Sequence, residues 1–157
     1  MLFESKQEQQ IVNNFLLRNN LFVHNLVSQN NIIAFLKKIN VYETELIRLG
    51  SNNDGGYLVP NDLRGISACF SPGVDSKVQF EKDLTKKDIP SYLLDYSIDC
   101  LPEENKLFTF EKKYLGVHND NITINFNTWI NKYFKKESND EFILQMDIEG
   151  SEYEVLL

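Results

Sequence analysis

The spacing of apolar positions changes near residue 45, and this change divides the chain into two predicted parts. Before that point the apolar side chains recur at the three- and four-residue intervals of a helix. These positions are Ile11, Phe15, Leu16, Leu26, Ile33 and Leu36. The spacing predicts two helices separated near Asn19 and Asn20. We therefore expect residues 1–44 to form an N-terminal helical segment and residues 45–157 to form the main domain.

A β-hairpin is predicted at the start of the main domain. Two short strand-like runs, 45–49 and 57–59, flank an Asn-Asp-Gly-Gly run at 53–56. Glycine admits positive φ at little steric cost, so this run is typical of a hairpin turn.

From residue 65 onward, short apolar runs alternate with segments of helical spacing. The predicted strands are 66–70, 92–95, 107–110 and 141–147, with a short extended piece at 122–124. Helices are predicted after Ser76, from Thr128 and after Ser151; Ser76 with Gln79, and Ser151 with Glu154, form capping-box patterns. Such alternation predicts an α/β domain with a parallel sheet, whose strand carboxyl ends share one edge where ligands bind.

Composition and charge argue against some kinds of binding partner for this chain. The 157 residues carry a formal net charge of −7, without the basic stripe that nucleic-acid phosphates require. No apolar run is long enough to span a membrane, and the N-terminus lacks the pattern of a secretory signal. We expect a cytoplasmic protein with no nucleic-acid partner and no membrane span. No histidine and cysteine spacing typical of a metal site is present.

Three features fall on the predicted ligand-binding edge. Gly73 lies in the turn 71–75 after the first strand, where the backbone can approach a ligand closely. Asp95 ends the second strand, where a carboxylate can bind both hydroxyls of a ribose. Asp147 and Glu149 follow the last strand and would share one face if that strand continued through Glu149.

Each feature also has a plain structural interpretation. A glycine in a strand-to-helix turn is common, and an aspartate at a strand end often caps the next turn. Two carboxylates could instead bind a divalent cation, as in a metal-dependent nucleotide-sugar transferase or hydrolase. A third alternative is a non-catalytic Rossmann-like interaction module whose N-terminal helices recruit a partner.

Several motifs together resemble the FkbM-type S-adenosylmethionine-dependent methyltransferases. Residues 144–156 (LQMDIEGSEYEVL) are similar to the fourth-strand motif of that family. The run Arg-Leu-Gly at 48–50, followed by Asp-Gly-Gly-Tyr at 54–57, resembles the entry segment of one branch of that family, which is related to methyltransferase-like proteins. The run 70–75 (FSPGVD), with Phe80 and Glu81, resembles that branch's first cofactor loop.

The resemblance implies a Rossmann-like parallel sheet, a partial class I methyltransferase fold, that binds S-adenosylmethionine. The usual activity of the family is O-methylation of a sugar or small-molecule hydroxyl. Carried over by position, the loop with Ser71, Gly73 and Asp75 would lie against the methionine part of the cofactor and Asp95 would bind the ribose. Asp147 and Glu149 would lie near the reacting methyl group as candidate catalytic residues, and Glu81 would support the loop.

The sequence departs from the family pattern at two places. Its first loop has Ser-Pro-Gly where most relatives have a longer glycine-rich loop. The family fold also continues with further strands after the helix that begins near Ser151. We therefore expect an incomplete methyltransferase domain with weak or no activity from this chain alone.

Overall fold

The computed structural model describes residues 28–39, 43–135 and 140–156. The chain divides into two compact units, Met1–Glu43 and Thr44–Leu157. In the first unit the described helix is α1 (Gln29–Leu36), which carries two of the predicted helical positions, Ile33 and Leu36. Ser28 caps it, because the Ser28 side chain accepts a hydrogen bond from the Asn31 N–H. The other predicted N-terminal helix and the break near Asn19 lie outside the described residues.

The second unit contains eight strands and three helices within the part of the chain that is described. In chain order they are β1 (Leu46–Gly50), β2 (Gly56–Pro60), β3 (Ile66–Pro72), α2 (Gln79–Thr85), β4 (Ser91–Leu94), β5 (Phe108–Glu111), β6 (Tyr114–Gly116), β7 (Thr123–Asn125), α3 (Phe126–Tyr133), β8 (Glu141–Leu144) and α4 (Glu152–Val155). Strands β1 and β2 pair antiparallel, which confirms the predicted hairpin. None of the described helices is long and apolar enough to cross a membrane.

Four strands form a parallel sheet in the order β5-β4-β3-β8. This confirms the prediction of a mixed α/β domain built on a parallel sheet. Because β4 lies on one side of β3 and β8 on the other, the strand order reverses at β3. A reversal of this kind opens a crevice at the carboxyl ends of β3 and β8, the two strands between which the order reverses.

The two faces of β3 are buried by different elements. Alternate side chains of a strand point to opposite faces, and Cys69 packs with Phe80 and Leu84 of α2. Phe70 packs on the other face with Trp129 of α3, ring centroids 5.1 Å apart in an edge-to-face contact. Phe70 and Trp129 are both fully buried, so the sheet is covered on both sides at its centre.

Strand β8 is shorter and less buried than the sequence predicted. The expected strand 141–147 ends at Leu144, and its apolar side chains are only half-buried. Among the described strands β8 pairs with β3 alone, so it forms one edge of the sheet. The apolar run therefore indicated a buried central strand where the structure has an edge strand.

The predicted helix caps were wrong at three places. Helix α2 begins at Gln79 after Val78, which provides no side-chain cap, and the Ser76 hydroxyl instead contacts the Asp75 carboxylate. Asn125, and not Thr128, caps α3 by accepting a hydrogen bond from the Thr128 N–H. Ser151 has helical torsion angles and makes no capping hydrogen bond with its side chain.

Candidate functional site

A cavity of about 440 Å³ lies at the carboxyl ends of β3, β4 and β8. Its volume falls within the range of small-molecule sites, roughly 300–1,000 Å³. The hairpin contributes Asp54 and Tyr57 to its wall. The other polar and glycine residues that line it are Gly55, Gly73, Asp75, Lys77, Glu81, Asp95, Ser97, Lys113, Tyr114, Gln145, Asp147, Glu149 and Ser151. The structure thus brings most of the predicted site residues to one cavity, with Ser71 buried against Glu81 at its base.

Gly73 occupies a position that a larger residue cannot fill. Its φ is +81°, and a Cβ at this position would lie 1.9 Å from the carbonyl oxygen of Asp147. Its N–H donates to the carbonyl oxygen of Leu94 at 2.8 Å. The sequence suggested that this glycine allows a ligand to approach, but its nearest neighbour is the backbone that follows β8. Gly73 therefore joins β3, β4 and the segment after β8 at the cavity wall.

The Asp95 carboxylate shapes the loops around the cavity and also faces it. Asp95 is 7% exposed. Its Oδ2 accepts a hydrogen bond from the Asp75 N–H at 2.8 Å. Its Oδ1 accepts from the N–H and the hydroxyl of Ser97, at 2.7 and 2.6 Å. A carboxylate has about four lone-pair sites, so one site on Oδ2 stays available to a ligand. Both interpretations of Asp95, turn cap and ligand acceptor, are compatible with this geometry.

Asp147 and Glu149 both line the cavity, but they do not lie on one face of a strand. The predicted common strand face does not exist, because β8 ends at Leu144 and Glu149 has a left-handed φ of +57°. Gly150 follows with φ +94° and completes the tight turn into α4. Asp147 is exposed, and its Oδ2 lies 3.5 Å from the Tyr57 hydroxyl. The two carboxylates still line the same cavity.

A buried polar cluster, formed by Ser71, Glu81 and Gln145, lies beneath the cavity. Ser71 and Glu81 are 0% and 2% exposed. The Ser71 hydroxyl contacts Glu81 Oε1 and lies 2.5 Å from Gln145 Oε1. One hydroxyl has one proton, so Ser71 donates a hydrogen bond to one of these partners and must accept a hydrogen bond from the other.

Burial favours the neutral form of Glu81, because it raises the pKa of this carboxyl above its ordinary value of 4.5. A protonated Glu81 donates to Ser71, and Ser71 then donates to Gln145. Gln145 Nε2 in turn lies 3.4 Å from the Tyr57 hydroxyl, which faces Asp147. A line of polar groups thus connects the buried acid to the exposed one.

Sequence reasoning missed two of these residues, Gln145 and Tyr57. Gln145 lies two positions before Asp147, so strand alternation could have placed both on the cavity side of the sheet. Tyr57 belongs to the Asp-Gly-Gly-Tyr run, and only the tertiary packing of the hairpin brings it to the cavity. His118, in the loop that follows β6, is exposed and does not line the cavity.

The cavity wall is strongly acidic. Six carboxyl groups line it, from Asp54, Asp75, Glu81, Asp95, Asp147 and Glu149, against two lysines, Lys77 and Lys113. Lys77 Nζ is paired with Asp54 Oδ2 at 2.5 Å, and the hydrogen bond from Lys77 lowers the pKa of Asp54. Lys113 Nζ donates to the carbonyl oxygen of Asp120 at 2.7 Å. The excess of carboxylates favours a ligand with positive charge.

A metal centre receives no support from the side chains that are described. Within residues 28–39, 43–135 and 140–156, no three His, Cys, Asp or Glu side chains converge on a position where a metal ion could be held. The turn at Glu149 also removes the shared strand face on which the metal-dependent alternative depended. No family model matches the chain, and no curated protein or solved structure matches it.

Proposed function

We propose that this chain contains the cofactor-binding part of an S-adenosylmethionine-dependent methyltransferase with a Rossmann-like sheet. One observation carries the proposal: Gly73, Asp95 and Asp147 line a single acidic cavity where the strand order reverses. Ligands of open parallel sheets bind at such reversals. The cationic methyl donor also suits a wall rich in carboxylates.

Each wall residue has a distinct role in this proposal. Asp95 accepts a hydrogen bond from a ribose hydroxyl through the free lone pair of Oδ2, while its other lone pairs hold Asp75 and Ser97 in place. The turn that contains Gly73 fixes the distance between Asp95 and the segment after β8. These contacts preorganise the wall before a ligand arrives.

The proposed reaction transfers a methyl group to a hydroxyl of a sugar or another small molecule. S-adenosylmethionine supplies the methyl group on its sulfonium when bound. Methyl transfer depends mainly on aligning the acceptor oxygen with that methyl, and a carboxylate within reach can accept the hydroxyl proton. Asp147 is an exposed carboxylate of the wall and has the Tyr57 hydroxyl beside it, so we assign the role of base to Asp147.

The first prediction tests cofactor binding by thermal unfolding. S-adenosylmethionine, or its demethylated product S-adenosylhomocysteine, should raise the Tm of the chain, because a ligand that binds only the folded state stabilises it. At a concentration of about 100 times Kd the gain is about 2.7 kcal/mol. Asp95→Ala should abolish most of this shift.

Asp99→Ala is the matched control, since the Asp99 side chain is 91% exposed and does not line the cavity. It should keep the full ligand-induced shift. The absence of any shift in the unmodified chain, or an equal loss in both variants, would contradict the proposal.

A further inference from the structure

The buried cluster of Ser71, Glu81 and Gln145 has too few protons for an ionised Glu81. The Ser71 hydroxyl contacts Glu81 Oε1 and lies 2.5 Å from Gln145 Oε1. When Glu81 is ionised both oxygens can only accept, and Ser71 has a single proton to donate. One of the two contacts would then contain no proton. Both contacts are satisfied when Glu81 is protonated and donates a hydrogen bond to Ser71.

The described residues around Glu81 offer no positive charge to an ionised carboxylate. Its Oε2 is buried and has no hydrogen-bond partner among them. The nearest lysines along the chain, Lys77 and Lys82, form ion pairs with other carboxylates. On β3, burial raises the pKa of the Cys69 thiol, and so does a charge on Glu81. A buried charge without a partner is costly, so the protonated form of Glu81 is favoured.

The other charged groups near the cluster do not change this balance. Lys113 donates to the carbonyl oxygen of Asp120, and Asp83 of α2 is paired with Lys86. A negative charge on Glu81 would also be repelled by the other carboxylates of the cavity wall. These come from the hairpin, from the loops after β3 and β4 and from the segment after β8, and they are Asp54, Asp75, Asp95, Asp147 and Glu149.

A protonated Glu81 fixes the direction of the hydrogen bonds as far as the cavity. Glu81 donates to Ser71, and Ser71 then donates to Gln145 Oε1. Gln145 Nε2 lies 3.4 Å from the Tyr57 hydroxyl and can only donate to it. The proton of Tyr57 is therefore left for Asp147 Oδ2, which lies 3.5 Å from the hydroxyl. Each contact of this hydrogen-bond chain, from Glu81 to Asp147, then contains one proton.

Loss of the proton from Glu81 reverses the hydrogen-bond chain. An ionised Glu81 accepts from Ser71, which leaves Ser71 with no proton for Gln145. The side-chain amide of Gln145 must then exchange its two ends, so that Nε2 donates to Ser71 and Oε1 faces Tyr57. The Tyr57 hydroxyl donates to that oxygen, and Asp147 loses its hydrogen bond from the tyrosine.

We propose that Glu81 is a positioning residue whose bound proton directs the Tyr57 hydroxyl onto Asp147. In the protonated state Tyr57 orients the Asp147 carboxylate, and in the ionised state Asp147 is released. The catalytic meaning of this switch rests on the proposed function, which makes Asp147 the base. The hydrogen-bond chain itself belongs to the folded protein and can be measured without cofactor or acceptor.

Nuclear magnetic resonance of the side-chain amide of Gln145 measures the direction of the chain, and Gln145→Glu identifies its signals by removing them. In the unmodified protein these signals should move as pH rises from 4.5 through the raised pKa of Glu81. In Glu81→Gln they should stay constant over that range, because the new amide donates to Ser71 at every pH. Glu154→Gln, at an exposed glutamate of α4, is the control and should behave as the unmodified protein.

Two further variants show whether the effect travels through the hydrogen bonds. Ser71→Ala breaks the chain next to Glu81, so the amide signals of Gln145 should no longer follow the titration of Glu81. Tyr57→Phe breaks the chain at its other end, where the side chain is partly exposed. The Gln145 signals should still move in Tyr57→Phe. The carboxyl-carbon signal of Asp147 should lose the step that it shows in the unmodified protein over the same pH range.

The outcomes separate this inference from the proposed function. Gln145 signals that do not change with pH in the unmodified protein would overturn the inference. A response of Gln145 that persists in Ser71→Ala, or of Asp147 that persists in Tyr57→Phe, would do the same, because the charge of Glu81 would then act through space. None of these results alters the Tm shift expected with S-adenosylmethionine. If the chain responds as expected and no Tm shift occurs, the switch stands and the base role of Asp147 fails with the proposed function.

Discussion

Gly73 and Gly65 have nearly the same backbone torsion but different surroundings, and this pair isolates the effect of a close contact. Their φ angles are +81° and +82°. A Cβ at Gly65 would meet nothing within 4 Å, whereas one at Gly73 would lie 1.9 Å from the Asp147 carbonyl oxygen. Gly65→Ala should cost about 1–2 kcal/mol, the penalty of a left-handed alanine.

Gly73→Ala adds a backbone clash to the same torsional penalty, so we expect a loss of at least about 3 kcal/mol in the free energy of unfolding. Urea denaturation of both variants measures the difference. Equal losses would show that the segment after β8 moves aside at little cost, and that Gly73 does not fix the cavity wall.

The buried carboxyl of Glu81 should make stability depend on pH. Burial raises the pKa of this group in the folded state above 4.5, so folding favours its protonated form. Relative to the neutral variant Glu81→Gln, the unmodified chain should lose stability as pH rises from 4.5 through the raised pKa. Below pH 4.5 the difference in Tm between the two proteins should be constant.

Glu154→Gln is the control for this pH series, because Glu154 is an exposed glutamate of α4. Its Tm should follow that of the unmodified chain at every pH. If the Tm difference between Glu81→Gln and the unmodified chain does not change with pH, Glu81 is not held neutral in the folded state.

At the scale of secondary-structure elements, the sequence and the structure give different N-caps for α3: the sequence favoured Thr128, and the structure has Asn125. The Asn125 side chain accepts a hydrogen bond from the Thr128 N–H at 2.8 Å. Asn125→Ala should therefore lower the free energy of unfolding by about 1 kcal/mol. Thr128→Ala, at the position that the sequence favoured, should change it by less than about 0.5 kcal/mol. A larger loss for Thr128→Ala in thermal unfolding would restore Thr128 as the cap.

The elements that the sequence predicted well are those with a repeated apolar pattern. The spacing indicated all four strands of the parallel sheet, although β8 ends at Leu144 and not at residue 147 as predicted. Strand β6 was missed; it has three residues, of which Leu115 alone is buried. The cap predicted for α2 was wrong, because the helix begins after the buried Val78, which provides no side-chain cap.

The site was predictable where it depended on strand ends and unpredictable where it depended on packing between distant segments. The carboxyl ends of parallel strands lie at one edge of the sheet, so Asp95 and Asp147 come to that edge whatever the direction of their side chains. The contact of Gly73 with the Asp147 backbone joins residues far apart in the chain, so no local pattern indicates it. The same holds for the contacts of Ser71 with Glu81 and Gln145.

At the scale of the whole molecule, the charge of the chain and the charge of the cavity have the same sign. The formal net charge is −7, and carboxyl groups outnumber lysines six to two along the cavity wall. A chain with this balance repels anionic ligands before they reach the site and attracts cationic ones. The charge of a ligand should therefore affect its affinity in a way that salt can reveal.

Salt should weaken the binding of S-adenosylmethionine more than that of S-adenosylhomocysteine, because the sulfonium gives the first ligand one more positive charge. Raising the salt concentration from about 0.01 M to about 1 M shortens the Debye length from roughly 30 Å to roughly 3 Å. Over this range we expect the ratio of the two Kd values to shift about threefold to tenfold against S-adenosylmethionine. Titration calorimetry measures both constants, and effects of salt that the two ligands share cancel in the ratio. A ratio that stays constant with salt would mean that the carboxylates of the wall do not act on the sulfonium, and the methyl group would then have to lie outside this cavity.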